Sequence, residues 1–215
     1  MPNCYLCIHG HFYQPSRINP FNGEIAEEPS AAPYANWNER IAAESYTPIA
    51  QAGLFEHISF NLGGTLAYWL DRYAHDTYQR ILAAEQAYWQ THGISNGLAQ
   101  PVHHTILPLA RTRDKICQIR WGIASFEHRF GHTTEGMWLP EMAVDYETLD
   151  IMVDEGIRFT VLSSEQVRGD RGAGAGPYWV RLPSGRKIAV FVRDVELSNA
   201  LSFGMPSLTH IEQWI

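Results

Sequence analysis

The sequence predicts an α/β protein built on a parallel sheet, with a barrel of the β/α type, complete or incomplete, as its architecture and a doubly wound open sheet as the alternative. Three observations carry that expectation. Short apolar runs alternate with stretches of helical periodicity along the chain. The helical stretches between the runs are long, as crossovers between parallel strands require. The GxGxxG that follows the first strand of a dinucleotide-binding, doubly wound fold is absent. The 215 residues fit one generous domain, taken as 1–215, with enough chain to bury a core.

The elements follow in order. Residues 5–9 read as a first strand, and 21–37 as a long loop rich in proline, glycine and acid. Residues 38–53 read as a helix from an asparagine cap at Asn38 to a glycine stop at Gly53, interrupted near Pro48. Residues 57–64 form the second strand, and 65–93 one or two helices. A third strand lies within 97–110. In 112–131, Ile116, Ile119, Ile123, Phe126 and Phe130 recur at three- and four-residue spacing, which predicts an amphipathic helix. Residues 135–141, 157–164 and 187–194 read as the fourth, fifth and sixth strands, with a helix over 145–156. Residues 168–177 are a glycine-rich loop without the Gly-Lys-Ser/Thr of a phosphate loop, and 207–215 begin a helix.

Composition narrows the partners. Apolar content of 45% and charged content of 18% are those of a soluble globular protein. A net charge of −7 without a Lys/Arg run argues against nucleic acid or an anionic membrane. No apolar run reaches the roughly 18–20 residues of a membrane span, and the N-terminus lacks a signal-peptide pattern, so a cytoplasmic protein is expected. Cys4 and Cys7 are three apart, on opposite sides of a strand, and no second pair completes a zinc site. They are read as reduced thiols.

Polar residues gather where the apolar runs stop: His9, His11, Asn61, His103, His104, Trp138, Glu141, Ser163, Ser164, Arg193 and Asp194. In a parallel barrel those ends form the active face. His9 and His11 are two apart, so an extended strand points both the same way. His103 and His104 are adjacent, so at most one faces the same cleft. Trp138 could form an apolar wall for a sugar ring beside Glu141, while Glu141 could instead cap the next helix. Asp194 is either half of a surface ion pair with Arg193 or the second carboxylate of a pair with Glu141. Two carboxylates across one cleft are what glycoside cleavage needs.

In order, "HGHFYQP" (9–15), "HTILPL" (104–109), "GMWLPE" (136–141) and "FVRD" (191–194) resemble glycoside hydrolase family 57. The resemblance covers about residues 5–204. It implies an incomplete seven-stranded barrel, a retaining mechanism and action on α-glucans as hydrolase or glycosyltransferase, with neither metal nor cofactor. By resemblance Glu141 is the nucleophile and Asp194 the acid/base. His9, His11, Gln14, His104 and Trp138 are substrate-binding residues on the same grounds. Three departures stand out: Phe12 and Tyr13 separate His11 from Gln14, no glutamate lies in "SNGLAQPVHH", and the spacing from Glu141 to Asp194 is shorter than in many members of the family. The family barrel continues into a seventh strand and a helical region, so a truncated barrel is expected. Two rivals remain at this point. One is a metal-dependent deacetylase- or mannosidase-like enzyme using His9, His11 and Asp194. The other is a non-catalytic carbohydrate-binding fragment.

Overall fold

A computed structural model describes residues 5–167 and 176–204; most of the glycine-rich loop 168–177 and all of 207–215 lie outside the described residues. Strand β1 (His9–Phe12) pairs in parallel with β2 (Ser59–Leu62), and β2 with β3 (Gly97–Leu98). Parallel bridges Ala99↔Met137 and Gly136↔Phe159 carry the arc on to β4 (Phe159–Ser163). A hairpin of β5 (Pro177–Arg181) and β6 (Lys187–Arg193) ends it, with β6 parallel to β4 and antiparallel to β5.

The first crossover holds α1 (Trp37–Ile41), a π-helical turn (Ala42–Tyr46) and α2 (Thr47–Gln51). The next holds α3 (Gly64–Tyr73) and α4 (His75–His92). Helix α5 (Thr112–Phe130) follows β3, α6 (Tyr146–Asp154) precedes β4, and α7 (Val195–Asn199) follows β6. One strand face feeds the core: Phe12 and Phe60 meet Phe55 at 4.9 and 5.1 Å between ring centroids, and Phe60 reaches Phe130 of α5 at 6.2 Å. Each such side chain, fully buried, stabilises the fold by about 1.5–3 kcal/mol.

Several expectations need correction. The first strand begins at His9 and runs to Phe12, so the histidines lie within it and do not follow it. Tyr5 and Leu6 are 88% and 69% exposed, and it is Phe12 that enters the core. Residues 135–141 supply only bridge partners to the sheet, because the chain turns at Pro140 into a 3-10 turn. The cap of α1 is Asn36, whose side chain accepts from Glu39 N, while Asn38 is buried inside the helix. Pro48 does interrupt the helix: it lacks the N–H for the preceding turn, which widens to the π form. Strand β5 adds to the elements expected: only its Pro177 falls in the 168–177 loop, and "PYWVR" alternates exposed and half-buried residues, as an edge strand does.

Candidate active site

On the face opposite Phe12 and Phe60, strand alternation sets His9 and His11 of β1 beside their register partners Ser59 and Asn61 of β2. Asn61 is fully buried. Its Oδ1 lies 3.1 Å from His9 Nε2 and 3.1 Å from His11 Nδ1. Its Nδ2 donates a short hydrogen bond to Gln100 Oε1, just beyond β3. Ser59 Oγ is 3.0 Å from His9 Nδ1. Trp138 stacks on both imidazoles, its ring centroid 5.0 Å from His9 and 4.8 Å from His11.

Two strained turns bring in the remaining groups. His104 has a φ of 54°, and Glu141 and Met142 have φ of 55° and 52°. For residues other than glycine this conformation costs roughly 1–2 kcal/mol each, and such strain gathers at functional sites. The Glu141 turn is held by Met142 N donating to Leu139 O at 2.7 Å and by Gln166 Nε2 donating to Met142 O at 2.7 Å. His104 Nε2 lies 3.2 Å from His11 Nε2 and 4.0 Å from Glu141 Oε1. Its ring stacks on Tyr13 with centroids 3.7 Å apart. The Glu141 side chain is 70% exposed, open to a ligand.

Desolvation shifts all three imidazoles toward the neutral form. It lowers His9 to about 4, against a partial opposing effect of the Asn61 hydrogen bond. It also lowers His11 and His104, with the Glu141 carboxylate pulling the other way. The Tyr13 phenol is pushed up by burial and then by Glu141. The cluster therefore offers uncharged hydrogen-bonding nitrogens beside an exposed carboxylate.

The structure thus brings His9, His11, His104, Trp138 and Glu141 together. His103 points elsewhere, accepting from Gln118 Nε2 at Nδ1 over 3.1 Å. Trp138 is buried, and its role as an open sugar platform is corrected: the imidazoles cover its face. Gln14 is turned to its own loop, where Nε2 donates to Tyr46 Oη at 3.5 Å and Oε1 accepts from Arg17 Nη2 at 3.2 Å. Asp194 stands at the C-terminal end of β6, the end at which β4 carries Ser163. Its Oδ1 accepts from Leu197 N at 2.9 Å, capping α7, and no contact among the described residues joins it to Glu141.

Tyr13, Gln100 and Gln166 join the cluster from outside the strand-end residues, and Asn61, a strand-end residue, stands at its centre. Its signal is visible in "ISFNLGG", where one amide breaks an apolar strand. A cavity of about 310 Å³, lined by Trp179, Arg181, Gly185 and Lys187, lies on the β5–β6 hairpin and includes none of these groups. The donor set does not fit a metal: both ring nitrogens of His9 and of His11 are engaged in hydrogen bonds within the protein. Among the described residues no group of three His, Cys, Asp or Glu is placed to hold an ion.

A parallel α/β arc with a carboxylate and imidazoles gathered beyond its strand ends belongs to the class of α/β proteins whose site lies at the carboxyl ends of the strands. Residues 26–214 match the model of Glycosyl hydrolase family 57, and the chain belongs to that family. It is similar to Alpha-amylase 1 of Dictyoglomus thermophilum, 25% identical over 185 residues, covering 82% of this chain and 26% of the relative. Its fold is similar to that of 4-alpha-glucanotransferase from Thermococcus litoralis, with a TM-score of 0.68 and 19% identity over 96% of this chain and 30% of that one. It is also similar to that of a branching enzyme of the same family from Thermococcus kodakaraensis, with a TM-score of 0.65 and 18% identity, covering 91% and 48%. The chain thus spans from about a quarter to about half the length of these relatives. Among the described residues no helix is long and apolar enough to cross a membrane.

Proposed function

We propose that these residues carry the catalytic part of a retaining α-glucan hydrolase or transglycosylase. The observation that supports this most is Glu141: an exposed carboxylate on a strained turn, 4.0 Å from a neutral imidazole and next to a buried, hydrogen-bonded polar cluster. In this reading a Glu141 oxygen attacks the anomeric carbon of the bound sugar. The bond to the leaving sugar breaks, and the Asp194 carboxylic acid gives its proton to the departing oxygen. The Asp194 carboxylate then takes a proton from water or from an acceptor sugar hydroxyl. That oxygen attacks the anomeric carbon and frees Glu141. His11 and His104, uncharged and beside Glu141, hydrogen-bond the sugar hydroxyls, and Trp138 supports them from behind. The α-glucan assignment draws on the amylase relative and the two glucan-active structural neighbours.

The test is covalent trapping. Incubation with 5-fluoro-α-D-glucosyl fluoride, which slows release of the glycosyl-enzyme, should leave one hexose-derived adduct on the peptide containing Glu141. Glu141→Gln should abolish both the adduct and turnover, since no covalent intermediate can form without the nucleophile. An adduct on another residue, or turnover that survives Glu141→Gln, would overturn the assignment. Asp194→Asn should slow turnover of substrates with poor leaving groups more than of activated fluorides.

A further inference from the structure

We infer that Asn61 is a positioning residue that fixes His9 and His11 in opposite tautomers, so that His11 presents an acceptor nitrogen, not a donor, beside Glu141. The geometry is specific. One buried amide oxygen is reached by the Nε2 of one imidazole and by the Nδ1 of the other, each at 3.1 Å. A carbonyl oxygen only accepts. The proton of neutral His9 therefore sits on Nε2 and that of neutral His11 on Nδ1. His9 Nδ1 is left to accept from the Ser59 hydroxyl at 3.0 Å. His11 Nε2 is left as an acceptor, and His104 Nε2 faces it at 3.2 Å as the donor.

Gln100 sets the amide the right way round. Its Oε1 takes the Asn61 Nδ2 proton, which aims Asn61 Oδ1 at the two histidines. Gln100 is itself 4% exposed, and its Nε2 is buried without a partner among the described residues. The buried amide is thus left with an unsatisfied donor in the orientation that directs Asn61. The consequence for binding rests on the function proposed above. A sugar hydroxyl that enters beside Glu141 and replaces the direct bond between the two rings donates to His11 Nε2 and accepts from His104 Nε2, so the pair recognises a group that does both. A deoxy or fluoro position there loses the donated bond.

The tautomers can be read without any activity. Long-range ¹H–¹⁵N correlation spectra of the ¹⁵N-histidine-labelled chain near neutral pH should show His9 as the Nε2–H form and His11 as the Nδ1–H form. In Asn61→Ala, His11 should revert to the Nε2–H form that free histidine favours. In Asn61→Asp, whose carboxylate also accepts from both rings, the wild-type pattern should persist. Identical tautomers on His9 and His11 in the wild type would overturn the proposal. So would the reversed pair, Nδ1–H on His9 and Nε2–H on His11, since it makes Asn61 the donor. An unchanged His11 in Asn61→Ala would remove Asn61 from the role. If Asn61→Ala does not fold, the wild-type and Asn61→Asp spectra decide. Failure of the trapping experiment with the expected tautomers present would discard the glycosidase reading alone.

Discussion

His9 shows how far one side chain depends on its surroundings. On an exposed loop its imidazole would titrate near 6.5; buried among Ser59, Asn61 and Trp138, it is held to about 4. The folded state therefore binds this proton less readily than the unfolded state. Stability contributed by the neutral form is fully present above about 6.5 and is lost as pH falls toward about 4. His11 and His104, also lowered, act in the same direction. The urea midpoint should fall as pH is taken from 7 to 4, and His9→Gln should flatten part of that slope. A midpoint that rises on acidification would contradict a buried neutral His9.

At the scale of elements, the site depends on how closely α5 approaches the strand edge. Gly122 lies where a Cβ would sit 2.0 Å from Gln100 O and 3.2 Å from Pro101 Cα. Backbone cannot yield as a side-chain tip can, so Gly122→Ala must push α5 away from the segment that carries Gln100. A loss of about 1–3 kcal/mol is expected from overpacking, measurable by denaturant titration. The histidine spectra should shift as well, since Gln100 orients Asn61. Helices α5 and α6 are clamped by Lys115, almost fully buried, whose Nζ meets Asp145 Oδ2 and Glu147 Oε2 at 2.6 Å each. Asp145 also caps α6 by accepting from Thr148 N at 2.7 Å. Lys115→Ala removes hydrogen bonds between charged groups and should cost about 2–3 kcal/mol, with the site spectra unchanged.

Across the whole molecule, candidate site groups and anchoring groups occupy opposite ends of the parallel arc. Glu141 and His104 stand beyond the strand ends, as the active face of a barrel requires. At the strand starts, Glu85 of α4 is fully buried. Its carboxylate accepts from Ser95 Oγ at 2.6 Å and meets His132 Nε2 at 2.8 Å. Ser95 and His132 lead into β3 and the 136–137 bridge, so this one carboxylate ties two strand starts to a helix. Glu85→Ala leaves the part-buried Ser95 and His132 donors without their acceptor, at about 1–3 kcal/mol each. At about 2–4 °C per kcal/mol for a chain of this size, the melting temperature should drop by about 4–24 °C. The His9 and His11 tautomers in the remaining folded protein should not change.

The sequence by itself determined the type of protein. Alternating apolar runs and helical periods specify a parallel α/β arc, since hydrophobic spacing follows the local geometry of strand and helix. The two-residue spacing of His9 and His11 put both on one face, and the adjacency of His103 and His104 allowed only one into the site; both follow from strand alternation. The family motifs likewise pointed to Glu141. What the tertiary structure decided lies in contacts between distant segments. Asn61 and Gln100 are 39 residues apart and meet only because β2 and β3 are neighbours. Trp138 lost its platform role because the same sheet packs two imidazoles over its ring. Strand β5 depended on pairing with β6, an edge that its own residues do not announce. Periodicity is a property of neighbours along the chain, and hydrogen-bond partners are a property of neighbours in space. The histidines were therefore legible in the sequence, and the amide that orients them was not.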